Sequence, residues 1–137
     1  MRLILDTNVL VAALMAPDGP PHHLFEAFLN DRFTLITSDI QIDEFSRVTR
    51  YPAVRSRIHP VQAGRLVNAL RSLSVLLERL PAAAISRDPH DDYLFAMALA
   101  GDAEYLVTGD KAGVLAVGRY GRTRVVTARK MVAILKL

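Results

Sequence analysis

Leu3, Ile4 and Leu5 run directly into Asp6-Thr7-Asn8, after which Val9, Leu10, Val11, Ala12, Ala13 and Leu14 resume the apolar pattern. A short apolar run, a polar break and then a helix-length apolar stretch mark a strand handing over to a helix. The same alternation continues to the C-terminus, and it constrains the fold more than any other feature. The pattern predicts a strand over Arg2–Asp6, a helix over Asn8–Met15 capped by Thr7 or Asn8, and a second helix from Pro21 through Asn30. Phe33–Thr37 reads as the second strand. Ser38-Asp39-Ile40-Gln41 then fits a capping box that opens a helix to about Arg50.

Tyr51–Pro60 reads as a loop holding Arg55 and Arg57. Val61, Leu66, Val67, Leu70, Leu73, Leu77 and Leu80 follow the helical period, which predicts one amphipathic helix over Val61–Leu80. Ala82–Ser86 is the predicted third strand, Asp88-Pro89 the start of a helix through about Ala100, Tyr105–Thr108 the fourth strand, and Arg124–Thr127 the fifth, before a final helix. Strands separated by helices pair in parallel through crossovers. The expected fold class is α/β: a three-layer α/β/α sandwich with a central parallel sheet of about five strands, forming a single domain over residues 1–137.

In open parallel sheets, ligands bind outside the C-terminal strand ends. Four separate segments deliver acids there: Asp6 ends the first strand, Glu44 lies about one helical turn beyond Ser38-Asp39, Asp91 and Asp92 sit at the start of a helix, and Asp110 follows Thr108-Gly109. Singly, most have a structural explanation. Asp88 is a natural N-cap, Asp91 at the third helical position favours the helix dipole, and Asp39 and Asp43 suit a cap and a solvated face. Glu44 alone reads as a surface residue, Asp102 and Glu104 flank a helix exit, and Asp110 suits a turn. Asp6 resists such explanations, because its strand should be covered on both faces. Convergent carboxylates repel unless a cation neutralises them. An all-oxygen donor set favours Mg²⁺ or Mn²⁺, which activate water and stabilise charge during displacement at phosphorus.

The 137 residues carry a net charge of +3, unevenly distributed. Phe45 to Arg87 holds eight arginines and one acid, the segment from Lys111 onward seven basic residues and no acid, and Asp88 to Asp110 six carboxylates and no Lys or Arg. An acidic centre flanked by arginine-rich segments suits a protein that cuts or binds a polyanion. The absence of cysteine excludes disulfides, zinc–thiolate sites and thiol catalysis. No apolar run approaches the roughly 18 residues of a membrane helix, and Asp6 and Asn8 interrupt anything resembling a signal peptide, so a cytoplasmic protein with no membrane partner is expected. A nucleotide-binding domain would need a glycine-rich turn after the first strand, where Asp-Thr-Asn stands instead. A metal-independent ribonuclease would want paired histidines, whereas His22, His23, His59 and His90 all fall at turns, loops or helix starts.

The stretches LDTNVLVAAL, SDIQIDEF, DPHDDYLFAMALAGDAEYLVTGD and VVTARKMVAIL together resemble the PIN-domain family (PilT N-terminus-like), over essentially the whole chain. The resemblance implies a parallel sheet flanked by helices and a metal-dependent ribonuclease activity. Many members of that family are toxins of the VapC kind, neutralised by a small antitoxin protein, which the resemblance implies as a partner. It implies that Asp6, Glu44, Asp91 and Asp110 are the catalytic and metal-binding acids, with Mg²⁺ or Mn²⁺ as cofactor. Asn8 and Thr108 would support them, and Asp92 competes with Asp91 for the third position. The expected function is an endoribonuclease that leaves 5′-phosphate and 3′-hydroxyl ends, acting as the toxin of a toxin–antitoxin pair. The alternative is a non-toxin PIN protein acting in RNA processing or as an RNA-binding scaffold. Arg47, Arg50, Arg55 and Arg57 are the expected RNA-backbone contacts, and homodimerisation is a family expectation.

Overall fold

A computed structural model describes residues 1–81 and 91–137. The chain forms β1 (Arg2–Leu5), α1 (Thr7–Met15), α2 (Pro20–Leu29), β2 (Thr34–Ser38), α3 (Asp39–Val48), α4 (Pro52–Arg55), α5 (Pro60–Leu73) and β3 (Val75–Leu77). After the segment outside the description come α6 (Asp92–Gly101), β4 (Tyr105–Val107), α7 (Val114–Val117), β5 (Arg119–Tyr120), β6 (Thr123–Val126) and α8 (Ala128–Leu135). The sheet order is β3-β2-β1-β4-β6-β5. Among the described residues every pairing is parallel except β5 with β6, an antiparallel hairpin.

The alternation of side chains along a strand builds the two outer layers. Leu3 and Leu5 of β1, Leu35 of β2, Val107 of β4 and Val126 of β6 face one way, into a core completed by α1, α2, α3, α5 and α8. Ile4, Ile36, Leu106 and Val125 face the other way, against α6 and α7. Both faces of β1 are therefore dry, and each of its leucine and isoleucine side chains contributes about 1.5–3 kcal/mol of burial. The end of α6 lies close to β2: a Cβ on Gly101 would meet Ile36 Cγ2 at 2.6 Å, so only glycine permits this approach. No helix among the described residues is long and apolar enough to cross a membrane.

The α/β architecture, the mostly parallel sheet and its helical layers agree with the sequence reading. Three local expectations do not. The helix expected over Val61–Leu80 stops at Leu73, where Ser74 turns extended, and Val75–Leu77 becomes strand β3 beside β2. The helical period had counted Leu73, which is 59% exposed, as core. Without β3, the outer edge of β2 would lack hydrogen-bond partners, and supplying them outweighs continued helix. The expected loop Tyr51–Pro60 contains the one-turn helix α4, started by Pro52. The hairpin partner β5 and helix α7 went unpredicted, both being too short for a periodic signal. The strand expected over Ala82–Ser86 and the Asp88-Pro89 cap lie outside the described residues.

Successive crossovers carry the chain from β1 through β2 to β3 on one side, and from β4 to β6 on the other. The order therefore reverses between β1 and β4, and their C-terminal ends form the crevice where such sheets bind ligands.

Candidate active site

Asp6 and Thr108 stand at that reversal. The Asp6 N–H donates to the Val107 carbonyl at 2.8 Å and the Thr108 N–H to Val126 at 3.0 Å, so both ladders run one residue past their strands. Asp6 also occupies the N-cap position of α1, one residue before Thr7 and two before Asn8, the expected caps, and its carbonyl accepts from the Val9 and Leu10 N–H groups. Its carboxylate makes no capping bond. Instead Oδ2 accepts a 2.7 Å hydrogen bond from the fully buried Thr108 hydroxyl. The backbone starts a helix while the side chain is held across to the neighbouring strand.

Helix α3 is fastened beside this point. Ser38 Oγ accepts from the Gln41 N–H at 3.3 Å, as a capping residue should. Gln41, however, does not reach back to complete the capping box. Its Nε2 donates to the Leu5 carbonyl at 2.6 Å, and its Oε1 accepts from Thr37 Oγ1 at 2.7 Å. One turn further, Glu44 enters the same crevice, where Tyr93 OH donates to its Oε2 and Thr7 Oγ1 lies 3.3 Å from the same oxygen. Thr7 Oγ1 is also 3.0 Å from Tyr93 OH.

A cleft of about 320 Å³ opens here, with Asp6, Thr7, Asn8, Glu44, Asp91 and Asp110 as its polar lining and Val11, Ala12, Met15 and Val48 as an apolar wall. All four expected acids thus reach one cleft, from four segments. Asp91 is the residue preceding α6 rather than its third position, and it lines the cleft, whereas Asp92 opens the helix and does not. Among the described residues, no three carboxylates or histidines lie close enough together to form a ready-made metal site.

Burial pushes the Asp6 carboxyl up to about 6, the Thr108 hydrogen bond opposes this, and the negative charges of Asp91 and Glu44 add to the rise. Asp6 therefore feels the charges of both Asp91 and Glu44 across the cleft. Burial and the adjoining Glu44 likewise push the Tyr93 phenol well above its ordinary value. A buried carboxylate with two like-charged neighbours and only oxygen donors fits the chemistry of a small hard cation.

Asp110 is engaged differently. Its Oδ1 accepts from the Gly113 N–H at 3.1 Å and its Oδ2 from the Val114 N–H at 3.4 Å, while its own N–H donates to Thr108 Oγ1 at 3.1 Å. A Cβ on Gly113 would overlap the Asp110 carboxylate, so glycine is what lets the loop close on it. The turn-residue reading and the cleft position therefore both hold for Asp110.

Arg50 and Arg55 share a separate groove of about 280 Å³ with Thr49, Ile58, Pro60 and Ala63, which begins where α3 leaves the acidic cleft at Val48. Arg47 and Arg57 are exposed and line neither. His22 pairs with Glu26 at 2.9 Å and His59 Nδ1 accepts from the Val61 N–H, away from the cleft. His90 lies outside the described residues. The outlying acids also take structural roles: Asp39 pairs with Arg71 and Asp102 with Arg122. Sequence reasoning missed the contribution of Tyr93 and saw Thr7 only as a helix cap. The sole signal was their adjacency to Asp91-Asp92 and to Asp6.

The PIN domain family model matches residues 2–112. The uncharacterised protein MJ1680 of Methanocaldococcus jannaschii is 24% identical over 112 residues, covering 81% of this chain and 72% of that protein. Among solved structures, a chain in the crystal structure of VapBC2 from Rickettsia felis, bound to a DNA fragment from their promoter, superposes with a TM-score of 0.58. That alignment is 16% identical and covers 93% of this chain and 98% of the other, a likeness of fold. The family match runs from β1 past Asp110 and so spans all four segments that bring acids to the cleft; the chain belongs to the PIN domain family.

Proposed function

We propose that this protein is a divalent-metal-dependent endoribonuclease, and that it serves in the cytoplasm as the VapC-like toxin of a toxin–antitoxin pair. PIN domains are generally nucleases, and the observation that carries the reading here is the convergence of Asp6, Glu44, Asp91 and Asp110 on one cleft at the sheet's reversal point. The fold likeness to a VapBC2 structure supports a small antitoxin as partner. Asp6, Glu44 and Asp91 would hold Mg²⁺ or Mn²⁺, with Asp110 contributing from the adjoining loop and Asn8 and Thr108 in support. The cation would supply Lewis acidity, lowering the pKa of water and neutralising charge at phosphorus.

The chain's own part is placement. Thr108 holds Asp6 through Oδ2, which orders the carboxylate at the point where β1 hands over to α1. Water adds to phosphorus, the bond to the 3′ oxygen breaks, and that oxygen takes up a proton. The products are a 5′-phosphate and a 3′-hydroxyl. Purified protein incubated with RNA is expected to cut with Mn²⁺ or Mg²⁺ and to stop in EDTA. Cutting that persists in EDTA, or 2′,3′-cyclic phosphate ends, would overturn the mechanism. RNA binding with no cleavage under any metal would favour the scaffold alternative.

RNA is proposed to run from the acidic cleft along the end of α3 into the Arg50/Arg55 groove, whose floor of Ile58, Pro60 and Ala63 offers apolar contact beside two guanidinium groups. Arg50→Glu with Arg55→Glu should weaken RNA binding and flatten its salt dependence by about one to two counterions. Fluorescence anisotropy with an inactive Asp6→Asn background measures both. Unchanged affinity and slope would place the RNA elsewhere.

A further inference from the structure

Glu44 is held by two residues to which the sequence motifs give no role in the cleft. Its Oε2 accepts from Tyr93 OH and lies 3.3 Å from Thr7 Oγ1, and the two hydroxyls are 3.0 Å apart. Thr7 is buried at the start of α1, Glu44 projects from α3, and Tyr93 is the second residue of α6. The contact therefore crosses the sheet edge. The Tyr93 ring packs against the core on the α6 face, while its hydroxyl reaches a carboxylate belonging to the opposite layer.

This arrangement leaves the two oxygens of Glu44 unequal. Oε2 has the phenol as donor and the threonine within reach, whereas Oε1 accepts no hydrogen bond from the described residues. A phenol is well suited to the task, because its two torsions are set by ring packing and its hydroxyl then lies at a fixed place. A free glutamate, by contrast, samples many rotamers and must be ordered each time it binds a cation.

We propose that Tyr93, assisted by Thr7, is a positioning residue for the cation site: it holds Glu44 through Oε2 and so presents Oε1 as a single ligand oxygen. The inference rests on the metal-dependent reading above. It concerns how this chain orients its second acid, and outer hydrogen-bond partners of this kind typically change metal affinity by about 10–100-fold when removed.

The test is Tyr93→Phe, which keeps the ring and deletes the hydroxyl. Mn²⁺ binding is measured by calorimetry on metal-stripped protein without RNA, alongside thermal melts in EDTA. Tyr93→Phe is expected to bind Mn²⁺ about 10–100-fold more weakly than wild type. Its cleavage deficit at low Mn²⁺ should recover as Mn²⁺ is raised to saturation, which a simple loss of structure would not allow. Thr7→Val, tested in the same way, should shift affinity in the same direction and by less, and it decides the matter if Tyr93→Phe fails to fold. Wild-type binding with the variant within twofold of it, or a deficit that saturating Mn²⁺ does not repair, overturns the role of Tyr93 alone. If the wild type itself binds no Mn²⁺, the metal-dependent reading falls and takes this inference with it.

Discussion

Asp6→Asn is expected to reduce RNA cleavage by on the order of a thousandfold or more while leaving the fold intact. Charge stabilisation at a metal-assisted phosphoryl centre amounts to several kcal/mol, and about 4 kcal/mol corresponds to a thousandfold in rate. The substitution removes the Asp6 charge with little steric change. The Asn carbonyl can still accept the Thr108 hydroxyl, which is fully buried and would otherwise lose its partner. Cleavage of a defined RNA in Mn²⁺, with circular dichroism to check the fold, measures the effect. In a bacterial host, growth arrest caused by the wild type should disappear with the variant if the protein is a toxin. Retained cleavage with an intact fold would remove Asp6 from the reaction and, with it, the reading of the cleft as the active site.

The second large effect is on stability, and it has the opposite sign. Asp6 in the folded protein takes up its proton at about 6, against an ordinary value of 3.8. The folded state therefore binds that proton more tightly than the unfolded chain, so Asp6 contributes stability at low pH that is lost as the pH rises through 6. The difference amounts to roughly 3 kcal/mol once both states are ionised. Asp6→Asn is neutral throughout. Metal-stripped wild type and variant should thus melt at similar temperatures near pH 4, and the variant should melt higher by pH 7. At this chain length about 3 kcal/mol corresponds to roughly 10 °C. Comparing the two proteins cancels the titration of groups remote from Asp6. Saturating Mn²⁺ at pH 7 should narrow the gap by stabilising only the wild type, through mass action on the folded state. A variant less stable than wild type at pH 7 without metal would mean that the fold stabilises the ionised Asp6 rather than opposing it.

The alternation of short apolar runs with helical segments was enough to read the layered α/β architecture, because alternation and the 3.6-residue period are local properties of the chain. Asp6, Glu44 and Asp110 were legible for a related reason. Each lies within a few residues of a strand end, and parallel sheets gather their strand ends at one edge. The limit of local reading shows at Val75–Leu77. Its leucines continue the helical period of α5, yet the open edge of β2 draws them into a sheet. That competition is between helix hydrogen bonds and sheet hydrogen bonds, and only the presence of β2 decides it.

Residue choice along the chain determined which acids arrive at the cleft; only the tertiary structure decided what each meets there. Nothing within a few residues of Asp6 reveals that its carboxylate, at the N-cap position, makes no cap and is turned to Thr108, which is 102 positions away. Likewise, nothing near Glu44 announces Tyr93, 49 positions on, or near Gln41 its bond to the Leu5 carbonyl. Asp91 and Asp92 share the same composition and neighbourhood in sequence, and the point at which α6 begins puts the first into the cleft lining. Propensity and periodicity act over a few residues, whereas hydrogen-bond partners and pKa values depend on atoms a few ångströms away in space. The sheet sets which atoms those are.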